Sequence, residues 1–263
     1  MTAHAHPQAP RTARWTAGFD NVFARESRRW WTTPRWWAQT LLWTAMLNGL
    51  LLTFLWIADQ AAATGPAVGV REVWAQYLPI AVLLSTVGVV VLTQGVMLDE
   101  RRAGRLEWVL TKPVSRTAFV LAKLAAHGLA TLVAVLVVPW AGLYVLVSAQ
   151  TTSTWSIGRF LATAGLVALL LAFTVALTVL LGTVTTGRGL VIGVPIAAVM
   201  LYDGVHLARD LAGRLPFPWE TITVAVQLAT GASPISIIPV VATVVWTVAA
   251  VAVACWRFEH EQL

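Results

Sequence analysis

Charged residues and cysteine are scarce in this sequence of 263 residues. Charged side chains make up 11% of the chain and hydrophobic ones 58%, whereas about 25% of a typical soluble domain is charged. This composition excludes a disordered chain, a coiled coil and a nucleic-acid-binding domain with a polar, basic surface. The single cysteine, Cys255, excludes an intramolecular disulfide and a cysteine-cluster metal site. We therefore expect a chain surrounded mostly by lipid.

Several catalytic and nucleotide-binding motifs are also missing. The sequence has no GxxxxGK[ST] phosphate loop, no HExxH and no GxSxG. Residues 1–18 are rich in Pro, Ala and Thr and are expected to be disordered, so His4 and His6 are weak metal candidates. We expect no catalytic residue, cofactor or metal site in this chain.

What the sequence does contain is a series of long apolar runs. About 20 apolar residues are needed to span the hydrocarbon core of a bilayer. Six stretches meet or approach that length, at roughly 38–58, 77–98, 118–147, 160–182, 190–208 and 235–256. The sequence thus predicts an all-α, polytopic protein whose residues 19–263 form a single transmembrane domain. Pro139, Pro195 and Pro239 mark expected bends in three of these spans.

The distribution of lysine and arginine predicts the orientation of these spans. With six spans, 14 of the 18 basic residues fall on one side, and the other side has Arg71, Arg159, Arg209 and Arg214. Because cytoplasmic loops are enriched in Lys and Arg, both termini are expected in the cytoplasm. Lys123, near the start of the third span, is expected to extend back towards that side.

Two segments outside the predicted spans have recognisable patterns. Residues 19–37 place Phe19, Val22, Phe23 and Trp30 near one helical face, interrupted by Glu26, which predicts an interfacial helix on the inner leaflet. Residues 209–234 contain about a dozen apolar residues in one run, too few to cross the bilayer. A short outer-face helix or a re-entrant helix is expected there.

The most informative segment lies between the second and third spans, at residues 99–123. Leu106, Val109 and Leu110 follow the spacing of a short amphipathic helix. Pro113 ends that helix and Ser115 is placed to cap the next one. The charged residues of this segment are Asp99, Glu100, Arg101, Arg102, Arg105, Glu107, Lys112 and Arg116. A charged, bounded helix on the cytoplasmic face suits the docking of a soluble partner.

This segment resembles the loop after the second span in permeases of the type-2 class of ATP-binding-cassette (ABC) transporters. The family pattern has an acidic residue, a glycine, a Leu-Glu pair, a leucine-rich turn, Pro-Val-Ser-Arg and a lysine. The matching positions are Glu100, Gly104, Leu106, Glu107, Val109, Leu110, Pro113, Val114, Ser115, Arg116 and Lys123. Arg105 departs from the pattern, because the family often has a small hydroxyl residue there.

The resemblance implies a permease subunit of an ATP-driven exporter in a prokaryotic plasma membrane. Such a permease dimerises and binds two separate ATPase subunits, which hold the ATP and Mg. Residues 99–116 would then form the first coupling helix and residues 183–189 a second contact. The residues implied in ATPase coupling are Glu100, Arg102, Gly104, Leu106, Glu107, Pro113, Ser115 and Arg116.

Polar residues within the predicted spans are candidates for dimer contacts or a substrate path, because polar groups are costly in lipid. Asn48 is expected to join helices or line a path, and His127 to be packed and neutral or to relay protons. Asp203 and His206 share one helix face near the outer end of the fifth span. Gly189 and Gly193 form a GxxxG pair, which allows close helix approach within the chain or across a dimer. The scarcity of charge in the spans favours an amphipathic or lipid-like substrate.

Two other classes of function are compatible with the sequence. A non-transporting scaffold or sensor could share the same arrangement of spans. An integral membrane enzyme would need reactive groups at one depth, whereas His127 and Asp203 are predicted near opposite faces of the membrane.

Overall fold

The computed structural model describes residues 15–65, 69–102, 114–150, 156–205, 217–232 and 235–260. This part of the chain contains ten α-helices and a π-helical segment at Val133–Val137 between α5 and α6. The α-helices are α1 Phe19–Trp31, α2 Arg35–Thr64, α3 Val70–Thr93, α4 Gly95–Arg102, α5 Arg116–Leu132, α6 Val138–Gln150, α7 Ile157–Val184, α8 Arg188–Val205, α9 Glu220–Thr230 and α10 Ile238–Glu259.

Five helical stretches in the described residues are long and apolar enough to cross a membrane. They are Arg35–Thr64, Arg71–Arg101, Arg116–Ala149, Ile157–Val184 and Ile238–Glu259. The first four of these stretches extend beyond the predicted spans at both ends. The last has the predicted length but begins and ends three residues later, at Ile238 and Glu259. The predicted span at 190–208 lies largely in α8, whose apolar part is the shorter stretch Arg188–Met200. A sixth crossing therefore stays a prediction.

The first two helices correct the predicted interfacial segment at 19–37. The helix α1 ends at Trp31, and a turn at residues 32–34 leads directly into α2. Arg35 and the tryptophans 36 and 37 thus belong to the first spanning helix. Pro34 accounts for the break, because proline disfavours helix at the residue before it.

The prolines act differently from one another. Pro139 lies two residues after the end of the π-helical segment, which fits the loss of its backbone donor and confirms a local distortion in the third span. Pro239 lies at the start of α10, where proline is tolerated, so it does not bend the helix as predicted. Pro79 lies inside α3 and was missing from the predicted bends.

The fourth spanning helix, α7, is the centre of the bundle. It packs against α3, α4, α5, α8, α9 and α10, and its buried face includes Val167, Leu170, Leu171 and Val175. Because α7 is apolar on all sides after Arg159, it tolerates neighbours in every direction. By contrast, α2 packs on one side only and exposes Leu41, Leu42, Leu52, Trp56 and Ile57.

The short helix α9 lies deep beside α7. Its preceding residue Trp219 packs edge-to-face on Phe173, with ring centroids 5.3 Å apart. Phe173 is 16 residues after Ile157, which corresponds to about 24 Å along the helix. At the other end of α9, Gly231 lies beside Arg159 in the first turn of α7. Of the two predicted arrangements for 209–234, this geometry favours the re-entrant helix.

The packing of α3 against α2 allows a test of the fold. A Cβ added at Gly88 would lie 2.9 Å from the ring of the buried Trp43. We expect Gly88→Ala to lower the free energy of unfolding by about 1–3 kcal/mol through overpacking. Gly165→Ala, at an exposed site with open space around the new methyl group, is the control. Thermal unfolding in detergent measures both variants, and equal melting temperatures would contradict the packing.

Candidate functional site

A buried ion cluster lies at one end of the bundle. The ammonium Nζ of Lys123 in α5 lies 3.2 Å from Oε1 of Glu26 in α1 and 3.0 Å from Oε1 of Glu100 in α4. The side chains of Lys123 and Glu26 are only 2% and 3% exposed. Lys123 thus lies beside α1 and α4, on the side towards which it was expected to extend, but its ammonium is buried between two carboxylates there.

Glu26 makes two further contacts with basic side chains. Besides Lys123, its carboxylate contacts the guanidinium of Arg25 at 3.0 Å and Nε2 of His127 at 3.4 Å. Burial alone would raise the pKa of Glu26. The hydrogen bond with His127 and the charge of Lys123 outweigh burial, so the pKa of Glu26 falls well below its ordinary value. Glu26 is therefore a fixed negative charge at neutral pH.

This pairing explains why α1 packs on the protein. Val22 and Glu26 are its buried residues, and Phe19 and Phe23 stack at 5.9 Å beside the core. The glutamate that interrupts the apolar stripe thus lies on the packed face. His127 lies edge-to-face with Trp30, with ring centroids 6.4 Å apart. It is therefore packed within the protein, which is part of the first of its two predicted roles.

A second set of contacts joins α4 to the ends of α7 and α8. Nη1 of Arg101 donates to the carbonyl oxygens of Gly182, Thr183 and Thr185 at 3.4, 3.0 and 3.4 Å. Carbonyls at a helix C-terminus lack intrahelical partners and carry partial negative charge, so a guanidinium satisfies them well. Asp99 adds an ion pair with Arg188 at 2.7 Å. The predicted second contact segment, 183–189, therefore lies directly against α4.

A third set fixes the start of α5. Ser115 caps this helix as predicted, since its Oγ accepts a hydrogen bond from the Ala118 amide at 3.0 Å. Nη1 of Arg116 donates to the carbonyls of Phe258 and Glu259 at 3.5 and 2.9 Å, and Thr117 donates to the Glu259 carboxylate. The start of α5 is thus attached to the end of α10.

The N-terminal segment is attached at the same place. The Ser115 hydroxyl donates to the Trp15 carbonyl, and its amide donates to the Ala17 carbonyl at 3.0 Å. Gly18 has a φ of 83°, and a Cβ there would lie 2.7 Å from Val114. The docked part of the chain therefore begins before the predicted boundary at residue 19. Both ends of the described chain meet at one end of the bundle.

The predicted coupling residues have different surroundings. Ser115 and Arg116 hold α5 in place, and Glu100 is buried against Lys123. Arg102 is the last residue of α4. The remaining predicted residues, Gly104, Leu106, Glu107 and Pro113, lie outside the described residues.

The dimer and path candidates also differ in their surroundings. Asn48 lies against Gly142 of α6 in the same chain, and its buried Oδ1 has no hydrogen-bond partner among the described residues, so its helix-joining role stays a prediction. Gly189 and Gly193 face open space on α8, with no neighbour within 4 Å of an added Cβ. Asp203 is in the last turn of α8, and His206 lies outside the described residues.

Sequence reasoning missed two functional contacts. Arg101 was one of several charged residues in its segment. Its partners are backbone carbonyls, which every residue has, so the sequence does not reveal them. Glu26 did have a signal, because a glutamate inside an apolar stripe needs a cationic partner when that stripe is packed against protein.

These features define a multi-pass helical membrane protein whose charged contacts gather at the end where the first and last described residues lie. A model of the ABC-2 family transporter proteins matches residues 21–263. The chain therefore belongs to the ABC-2 transporter family, and it is a transport subunit by that membership. No curated protein matches the chain.

The ion cluster predicts a specific stability pattern. Lys123→Met keeps the side-chain length but leaves two buried carboxylates without their ammonium, so we expect a loss of about 3–5 kcal/mol in the free energy of unfolding. Arg25→Met removes the half-exposed partner of Glu26 and should cost less than about 1 kcal/mol.

Thermal unfolding in detergent measures both variants. Combining Lys123→Met with Glu26→Gln and Glu100→Gln should restore most of the loss, because the unpaired charges are gone. A triple variant as unstable as Lys123→Met would show that the ammonium contributes something other than charge pairing.

Proposed function

We propose that this chain is the permease subunit of an ATP-driven exporter, and that residues 99–116 receive the movement of a separate ATPase. One observation carries the proposal: both flanks of segment 103–113 are anchored to the ends of spanning helices. On one flank, Arg101 binds the C-terminal carbonyls of α7. On the other, Arg116 binds those of α10.

This anchoring supports transmission of force. A push on the segment reaches α7 through Arg101, α8 through Asp99 and Arg188, and α10 through Arg116. It also reaches α1 through Glu100, Lys123 and Glu26. A connecting loop retained only for topology would need none of these contacts. The ATPase would hold the ATP and Mg, and the anchored end would lie in the cytoplasm beneath the plasma membrane.

Dimerisation through α2 and α8 completes the proposed complex. Gly49 on α2 and both glycines of the GxxxG pair on α8, Gly189 and Gly193, have open space where a side chain would be. Apolar side chains around them are exposed, including Leu52 and Leu190. Small residues on exposed apolar faces favour helix association in membranes. A second copy of this chain would cover these faces.

The described spans favour a lipid-like or amphipathic substrate. An apolar cavity of about 320 Å³ lies between α7, α8, α10 and the residues that precede α9. Its walls include Phe173, Leu177, Phe217, Trp219 and Trp246. Such walls offer apolar contacts and no charged group, so they suit a hydrocarbon chain better than an ion.

Replacement of Glu107 by lysine tests the coupling role. In the proposed coupling helix, charge reversal should break docking, so we expect Glu107→Lys to lose most of the co-purifying ATPase in mild detergent. Glu72→Lys, in the first turn of α3 at the opposite end of the bundle, is the matched control. Retention of the ATPase by Glu107→Lys at the level of Glu72→Lys would refute the coupling assignment.

A bulky residue on α8 tests the dimer. Gly193→Trp should block close helix approach and shift the protein from dimer to monomer, by at least about tenfold in the dimer dissociation constant. Gly165→Trp is equally open in the single chain but lies on α7 and serves as control. Sedimentation equilibrium in detergent measures the shift. Unchanged dimerisation of Gly193→Trp would exclude α8 from the interface.

A further inference from the structure

A polar cavity of about 230 Å³ lies beside the ion cluster. It is bounded by the end of α1, the first residue of α2, the junction of α3 and α4, and α5. Its walls include Arg29, Trp30, Arg35, Asp99, Lys123 and His127. Neither the family nor the proposed coupling contacts assign it a role.

The acidic groups of this cavity are already neutralised. Glu26 and Glu100 share Lys123, Glu26 also pairs with Arg25, and Asp99 pairs with Arg188, so three basic side chains face the three carboxylates. The two arginines at the cavity rim, Arg29 and Arg35, form no ion pair with any residue that the structure describes. The cavity therefore has two uncompensated guanidinium groups.

Trp30 adds an unused hydrogen-bond donor. Its indole Nε1 is buried and has no acceptor among the described residues. Trp43, Trp140 and Trp219 also have an unpaired buried Nε1, but of these four tryptophans only Trp30 lines this cavity. An indole and two guanidinium groups that line one cavity suit a phosphate, because phosphate oxygens accept charge-assisted hydrogen bonds and arginine matches their geometry.

The position of the cavity identifies the source of that phosphate. Arg29 lies in the last turn of α1, and Arg35 begins the first spanning helix. The exposed Trp31 and Trp37 flank them, and tryptophan prefers the headgroup level of a bilayer. The arginines therefore lie at the depth of lipid phosphates.

We propose that this cavity binds the phosphate of an anionic membrane phospholipid. Arg29 and Arg35 hold the phosphate oxygens, and Trp30 Nε1 donates a hydrogen bond to one of them. The lipid would connect the end of α1 to the start of α2, directly beside the cluster that holds α1 on α4 and α5. This site depends on the membrane position of the cavity and holds whether or not an ATPase docks on segment 103–113.

Native mass spectrometry of the full chain in detergent tests the site. The probes are dioleoylphosphatidylglycerol, dioleoylglycerol, which has the same chains without phosphate, and inorganic phosphate. We expect phosphatidylglycerol to bind at least about tenfold more tightly than either other probe. Equal affinity for dioleoylglycerol would show that the chains alone bind. Equal affinity for inorganic phosphate would assign the site to a soluble anion and overturn the lipid assignment.

Single substitutions locate the binding to the cavity. Arg29→Gln and Arg35→Gln should each weaken phosphatidylglycerol binding about tenfold, and Trp30→Phe should weaken it several-fold while keeping the ring. Arg28→Gln removes the same charge from the neighbouring exposed position, which is not on the cavity wall, and should change affinity by less than about twofold. An unchanged melting temperature without added lipid shows that each variant folds. Equal losses in Arg28→Gln and Arg29→Gln would overturn the site.

Discussion

The buried ammonium of Lys123 determines how one end of this protein is built. Removing an ammonium from water is costly unless it is paired and hydrogen-bonded. Lys123 meets that requirement with two carboxylates from segments 97 and 23 residues away in sequence. The pairing brings α1, α4 and α5 together at a single point. Without it, α1 would still pack through Val22, Phe19 and Phe23, but with an unpaired glutamate on its buried face.

The charged end and the lateral surface of the bundle differ in how many of their groups have partners within the chain. At the charged end, Arg101 and Arg116 donate hydrogen bonds to carbonyl oxygens at the C-termini of α7 and α10. Along the bundle, α2 and α8 keep exposed apolar faces with glycines in open space. Satisfied contacts at the charged end and exposed apolar faces on α2 and α8 fit the proposed subunit, which would transmit force at that end and dimerise through those faces.

The sequence predicted the five long apolar helices and their common charged end, because apolar length and basic-residue bias are local properties. It predicted the Ser115 cap for the same reason. It did not predict the partner of Lys123 or the carbonyl contacts of Arg101, since both depend on how distant helices pack. The depth of α9 also depends on packing, because its dozen apolar residues specify only that it cannot span.

A buried ion cluster is weak evidence for stability, since a hydrophobic replacement is often as stable. Its advantage is that it specifies the relative position of the helices, because charges require specific partners whereas apolar side chains accept many. In the proposed coupling role, the relative position of the helices matters more than stability, because movement has to pass from one helix to the next. An apolar contact that slides would lose such a displacement of α4, whereas the contacts of Glu100, Lys123 and Glu26 would make α1 and α5 follow it. We therefore propose that the cluster makes α1, α4 and α5 move together.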